Sequence, residues 1–247
     1  MLGNFKTIAP SWDIPGVNVC TFLATDTQGD PVSFSLFTQL GKYCRERIES
    51  LIQPLEPIEW LNQVHGNELV ELPLVPEDGQ MEIFAHQPVA DASFTYQQGI
   101  VCAILTADCL PIVLAHEDGT FVATLHVGRR GLENQLISKM VQNIEEPNRL
   151  YAWIGPGIAF NSYPISDEIR LSFLLQFPNL AYVFKPTQNG DFCMDITEIA
   201  RVQLLEAGLL KERVSYAVRN TFTDPELHSA RRDGDASGRM ATLAWLD

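Results

Sequence analysis

Residues 99–127 carry three apolar segments of strand length in succession, and this run constrains the fold more than any other part of the chain. GIVCAILTADC (99–109) is continuously apolar up to a polar end; PIVLA, then EDG, then TFVATLHVG reads as two further strands joined by a tight turn. These runs predict the core of a sheet. The next stretch, GLENQLISKMVQNIEE, sets Leu132, Leu136, Ile137, Met140, Val141 and Ile144 at helical spacing, so strand hands over to amphipathic helix at Gly128 to Gly131.

Three more helices follow from periodicity and caps. One starts at Asp195, whose carboxylate caps it with Glu198 three residues on, and stops at Gly208. Another begins at Ser166 or Asp167 and runs through IRLSFLLQF. GKYCRERIESLIQ (41–53) carries Cys44, Ile48, Leu51 and Ile52 on one side. Loops are expected at 71–90, around 184–191 and at 221–239, after which MATLAWL returns to strand. Strand and helix signals alternate, which predicts an α/β chain, and 247 residues suffice for one domain spanning 1–247.

A hydrophobic share of 46% and a charged share of 19% fit a globular protein. The net charge of −14 repels polyanions, which argues against nucleic acid or an anionic membrane as partner. No window approaches the roughly 18 apolar residues of a membrane span. The cysteines at 20, 44, 102, 109 and 193 are scattered and odd in number, so the expectation is free thiols in a reducing, cytoplasmic compartment. No dimer signature is evident, and the oligomeric state stays open.

Five histidines stand at 65, 86, 116, 126 and 228. His65 lies in the turn-like NQVHGN and His126 ends the strand FVATLHVG. Cys109 ends LTADC; if LTADC and ATLH are adjacent strands, their ends bring a thiolate and an imidazole together. Two imidazoles and one thiolate suit a tetrahedral zinc with water in the fourth place, and tolerate copper. Two structural histidines and a core cysteine would explain the same residues. Arg129, Arg130, Arg231, Arg232 and Arg239 gather in two glycine-bearing segments that could receive an oxyanion, or pair with Asp233 and Asp235. Backbone N–H groups at the start of the helix after Arg130 would add to that attraction. Asp108 and Asp91 are candidate general bases, partners orienting a ligand histidine, or plain caps. IGPGI (154–158) suggests backbone closely approaching something, or a turn.

The ordered series NQVHG, ADAS, LTADCLPI, LHVGRRG, IGPGI and RRDGDASGRMA resembles the family once called multicopper polyphenol oxidases, or laccase-domain proteins. That family is now regarded as purine nucleoside phosphorylases with additional adenosine deaminase activity. The resemblance runs from about residue 60 to the carboxyl terminus. It implies an α/β sandwich of mixed sheets flanked by helices, similar to the fold of cysteine hydrolases. It implies His65, Cys109 and His126 as ligands of one zinc, with copper an alternative. It also implies transfer of the ribosyl group of adenosine, inosine or methylthioadenosine to phosphate, and hydrolytic loss of the adenine amino group. Cys109 and Asp108 would then be catalytic, Asp108 as a proton shuttle, with Arg130, Arg231 and Arg232 contacting phosphate or ribose.

The chain departs from the family pattern at Arg129, where a tryptophan is usual, and at Asn161, Ser162, Pro164 and Asn220. An aromatic pair before the late arginines is replaced by Leu227 and His228, and the usual asparagine–arginine pair near the start is not found. Two further readings therefore stand beside the first: a metal-free cysteine hydrolase with Cys109 as nucleophile and His126 as base, and a non-catalytic member that retained the metal site. Copper oxidation of phenols needs several coppers, and five histidines are too few for that.

Overall fold

A computed structural model describes residues 2–74 and 87–247, so part of the expected loop at 71–90, and His86 with it, lies outside the described residues. A four-stranded antiparallel sheet has the order β1 (Phe5–Ile8), β2 (Val17–Asp26), β13 (Met240–Leu246), β5 (Val101–Thr106). A six-stranded mixed sheet has the order β12 (Val214–Tyr216), β8 (Leu150–Ile154), β6 (Leu110–His116), β7 (Val122–Val127), β4 (Ala92–Thr95), β3 (Leu69–Glu71). Its outer pairs are parallel and its central pairs antiparallel. A small antiparallel sheet joins β10 (Phe184–Pro186), β11 (Phe192–Met194) and β9 (Pro164–Ile165).

The two-residue period of a strand sorts these side chains into layers. Val101, Ala103 and Leu105 of β5 join Phe22, Phe34 and Ile48 on the outer side of the four-stranded sheet, beneath α1 (Gln39–Ile52). Ile112, Leu114, Leu125 and Val127 of the six-stranded sheet pack under α2 (Arg129–Glu133), α3 (Leu136–Val141) and α5 (Ile196–Glu206). α4 (Asp167–Gln176) adds Phe173 to that core, while α6 (Ala230–Asp233) lies in the last long loop. Between the sheets, Val113, Ala115 and Val122 meet Ala244 and Leu246. The result is helix, sheet, sheet, helices, the expected sandwich of mixed sheets.

The layer between the sheets is partly polar. Thr21 and Thr242 hydroxyls lie 2.6 Å apart and those of Ser93 and Thr124 3.2 Å apart, both pairs buried. Alternation along β7 puts His126 on the same face as Val122 and Thr124, so this polar seam ends at a histidine.

Caps at Ser166 and Asp195 stand as expected, accepting from the N–H of Ile169 and Glu198. Two expectations need correction. The run 131–146 is not one helix: it breaks at Gln135, which adopts left-handed backbone (φ 55°), and Asn67 Nδ2 donates to the Asn134 carbonyl at the break. The segments LTADC and ATLH are not neighbours in one sheet, because β5 pairs with β13, whereas the neighbours of β7 are β6 and β4.

Candidate metal centre

The crossover from β5 to β6 carries Ala107, Asp108 and Cys109, with Asp108 at φ 89°. Register then does what adjacency of β5 and β7 was expected to do. Leu110 pairs with Val127 and Pro111 with His126, so Cys109 arrives opposite Gly128. A Cβ at Gly128 would stand 2.6 Å from Cys109 Sγ, although its φ of −93° suits any residue. Glycine is required there by space rather than by conformation.

His65 comes from the segment leading to β3, and Asp91 directly precedes β4. The Asp91 carboxylate is fully buried and accepts from four donors: the N–H groups of Val64 (3.2 Å), His65 (2.9 Å) and Gly66 (2.6 Å), and His126 Nδ1 (2.8 Å). Three successive amides on one carboxylate hold His65 at φ 61°, a conformation that otherwise costs a non-glycine residue about 1–3 kcal/mol. Burial alone would raise the carboxyl's pKa, but the His126 ring and the Gly66 and His65 amides outweigh it and hold Asp91 below its ordinary value.

With Nδ1 donating to Asp91, the Nε2 of His126 is left for Cys109. The ligand atoms of His65, Cys109 and His126 all lie within 4.8 Å of one another, and the two imidazoles meet edge to face with centroids 4.7 Å apart. Burial would raise the Cys109 thiol, yet the charge and hydrogen bonds of His126 and His65 pull it down to about 6. Burial would likewise lower His126, but the Cys109 thiolate and Asp91 push it up to about 9. Both shifts favour a thiolate–imidazolium pair over a neutral thiol and imidazole.

The donor set fits a metal. Ligand atoms around a tetrahedral zinc sit about 3.3–3.8 Å apart, close to the separations of at most 4.8 Å found here. A carboxylate bracing the second nitrogen of a ligand histidine is the usual outer support of such sites. His65 is exposed, Cys109 half-buried and His126 buried, so the cluster opens to one side. It opens on a cleft of about 370 Å³ that Leu36, Phe37, Leu61, Asn62, Leu105 and Arg239 also line.

The other expected site residues separate. Asp108 accepts from Thr221 Oγ1 (2.6 Å) and from the Arg231 N–H (2.7 Å), so it ties the last long loop to the crossover. Arg232 donates to the carbonyls of Thr221, Asp224 and Leu227 and pairs with Asp233, which commits its guanidinium to that same loop. Arg130 is exposed and makes no side-chain hydrogen bond among the described residues. The helix behind it spans only Arg129–Glu133, too short to supply the expected pull of a helix N-terminus. Arg231 lies 5.2 Å over the Tyr163 ring, and both it and Arg129 act on the Tyr163 hydroxyl, which also feels Cys109.

Among the departures, Ser162 and Asn220 prove to be one unit. Asn220 Nδ2 donates to Ser162 Oγ at 2.9 Å while its Oδ1 accepts the Ala159 N–H at 3.1 Å. His228 Nε2 donates to the Val32 carbonyl at 2.7 Å. The close approach expected of IGPGI is real: a Cβ at Gly157 would fall 2.4 Å from Leu110 Cδ2 and 3.1 Å from the Asp108 carbonyl. Sequence reasoning named Gly128, two residues beyond His126, only as the start of the strand-to-helix junction, and missed Tyr163, Phe37 and Asn62.

Residues 42–247 match the family described as multi-copper polyphenol oxidoreductase laccase. A Xylella fastidiosa protein named purine nucleoside phosphorylase is 33% identical over 96% of this chain and 98% of its own length. Its Escherichia coli counterpart, purine nucleoside phosphorylase YfiH, is 31% identical over 98% of this chain and 99% of its own. The similarity thus reaches well before residue 60. Among solved structures, a Neisseria meningitidis protein superposes with a TM-score of 0.82 at 28% identity, covering 99% of both chains. YlmD of Geobacillus stearothermophilus shares the fold, with a TM-score of 0.79 at 23% identity over 98% of both chains.

Proposed function

The chain belongs to the multi-copper polyphenol oxidoreductase laccase family, and from that membership we propose that it is a zinc-dependent purine nucleoside phosphorylase with adenosine deaminase activity. Its substrates are adenosine, inosine or methylthioadenosine together with phosphate. The observation that carries this reading is the convergence of His65, Cys109 and His126, braced by Asp91, at an open cleft. Relatives that carry the phosphorylase name align along nearly the whole chain. Among the described residues the three form the one group of metal-binding side chains, which suits one zinc better than the several coppers of a phenol oxidase.

Held by these three residues, a zinc ion supplies Lewis acidity beside the cleft. In phosphorolysis the bond from C1′ of the ribose to the base nitrogen breaks, a phosphate oxygen bonds to C1′, and a proton goes to the base. In this reading Arg231, whose side chain has no carboxylate partner among the described residues and lies over the Tyr163 ring, holds the phosphate. Asp108 acts as a positioning residue, since both its oxygens fix the backbone and loop that present Arg231. Free cysteines throughout accord with a cytoplasmic enzyme, and residues 1–247 serve as one domain.

The test is direct. Protein purified without chelator is analysed for metal, then incubated with adenosine or inosine and phosphate, and free base, ribose 1-phosphate and inosine are resolved by chromatography. About one zinc per chain and phosphate-dependent release of base, both lost in Cys109→Ala, support the proposal. Less than about a tenth of an equivalent of metal, or turnover no greater than that of Cys109→Ala, overturns it.

A further inference from the structure

Phe37 is 93% exposed, an aromatic ring left almost wholly in solvent. It nevertheless lines the same cleft as His65, Cys109 and His126, and it precedes the stretch that matches the family, residues 42–247. Its backbone is held firmly. Thr38 caps α1, Arg45 donates to the carbonyls of Phe34 and Ser35, and the Phe34 N–H donates to the Arg239 carbonyl. Gly41 packs so close that a Cβ there would lie 1.9 Å from the Ser35 carbonyl oxygen. A pinned backbone that presents a solvated ring over a cleft is a platform. Beside it Leu36, Leu61 and Leu105 make the lining apolar.

Polar reading groups on this wall are few. The Gln63 amide is consumed by the Leu105 backbone, which it meets at 2.8 and 2.7 Å. Asn62 is exposed, and its side chain makes no hydrogen bond among the described residues. We propose that Phe37 stacks on the face of the purine base, with the Asn62 amide reaching its edge, so that the base lies against this wall and the sugar points to the metal ligands. This rests on the phosphorylase reading, and it assigns to the first forty residues a part in selecting substrate. With the Arg239 guanidinium donating to the Ser237 and Gly238 carbonyls, an apolar face edged by the free Asn62 amide recognises a flat heteroaromatic ring in preference to a sugar or a phosphate.

The experiment compares wild-type protein, Phe37→Ala and Phe37→Trp, each loaded with zinc. Phe37→Ala should raise the nucleoside KM about tenfold, the size of one lost base–aromatic stack, with the phosphate KM and zinc content within about twofold. Phe37→Trp should restore the nucleoside KM to within about threefold of wild type. A nucleoside KM for Phe37→Ala within about twofold of wild type overturns the assignment. Adenosine binding measured by saturation-transfer NMR keeps this separate from the catalytic reading. Should phosphorolysis be absent, weaker adenosine binding in Phe37→Ala still supports stacking, and equal or undetectable binding in all three proteins overturns it.

Discussion

Asp91 Oδ1 accepts the Nδ1–H of His126 at 2.8 Å, and the same oxygen accepts the backbone N–H of His65 at 2.9 Å. One buried carboxylate therefore orients the ring of one candidate ligand and fixes the backbone that presents another. Asp91→Ala should weaken zinc affinity about 10–100-fold, read by competition with a chromophoric chelator. Asp91→Asn should fall between it and wild type, because an amide oxygen still accepts from the amides but carries no charge to hold the His126 proton.

Proton release should accompany metal binding with a defined pH profile. Zinc takes a thiolate and a neutral imidazole. With the Cys109 thiol at about 6 and His126 at about 9, the pair holds two protons below the first value, one between the two, and none above the second. Binding near pH 7.5 should thus displace about one proton from this pair, and affinity should rise about tenfold per pH unit across the window between the two pKa values. Below the lower value the dependence steepens, and above the upper one it vanishes. Calorimetry in buffers of different ionisation enthalpy counts the protons; none released at pH 7.5 would contradict the ion pair.

What the sequence made legible was chemistry carried on strands and caps. The order of NQVHG, LTADC and LHVG implied His65, Cys109 and His126 as one set through the family resemblance it carries, and the three do converge, while Ser166 and Asp195 announced their helices. Cys109 meets His126 through the β6–β7 register rather than through β5 and β7 side by side, a distinction periodicity cannot draw because an apolar run suits either sheet. The break at Gln135 is met by the Asn67 side chain from far along the chain, and apolar spacing that continues through it gives no sign of it. Phe37 escaped because exposure over a cleft is a property of the assembled layers, and Tyr163 because its place under Arg231 is set by a contact distant in sequence.

Arg232 should prove to be a structural residue rather than a phosphate contact. Its guanidinium serves four carbonyls of the 221–239 loop, those of Thr221, Phe222, Asp224 and Leu227, and the Asp233 carboxylate. Arg232→Ala leaves those acceptors short of donors, which should cost about 1–3 kcal/mol and lower the Tm by several degrees. Arg231→Ala should leave the Tm nearly unchanged and raise the phosphate KM, and Arg130→Ala should alter neither. Thermal scans paired with steady-state kinetics separate the three, and a phosphate KM untouched by Arg231→Ala would move the anion elsewhere.

Thiol reactivity distinguishes a metal ligand from a metal-free nucleophile at the same residue. Burial pushes Cys20 and Cys102 up to about 12, whereas Cys109 is drawn down to about 6 by His126 and His65 against the effect of its own burial. In zinc-free protein at pH 7, iodoacetamide should alkylate Cys109 well before either of those two, as peptide mass spectrometry would show. One equivalent of zinc should slow that labelling about tenfold or more, since a thiolate bound to metal is no longer a free nucleophile. A cysteine hydrolase that needs no metal would label equally fast with and without zinc, so the ratio of the two rates decides between the readings without requiring a substrate.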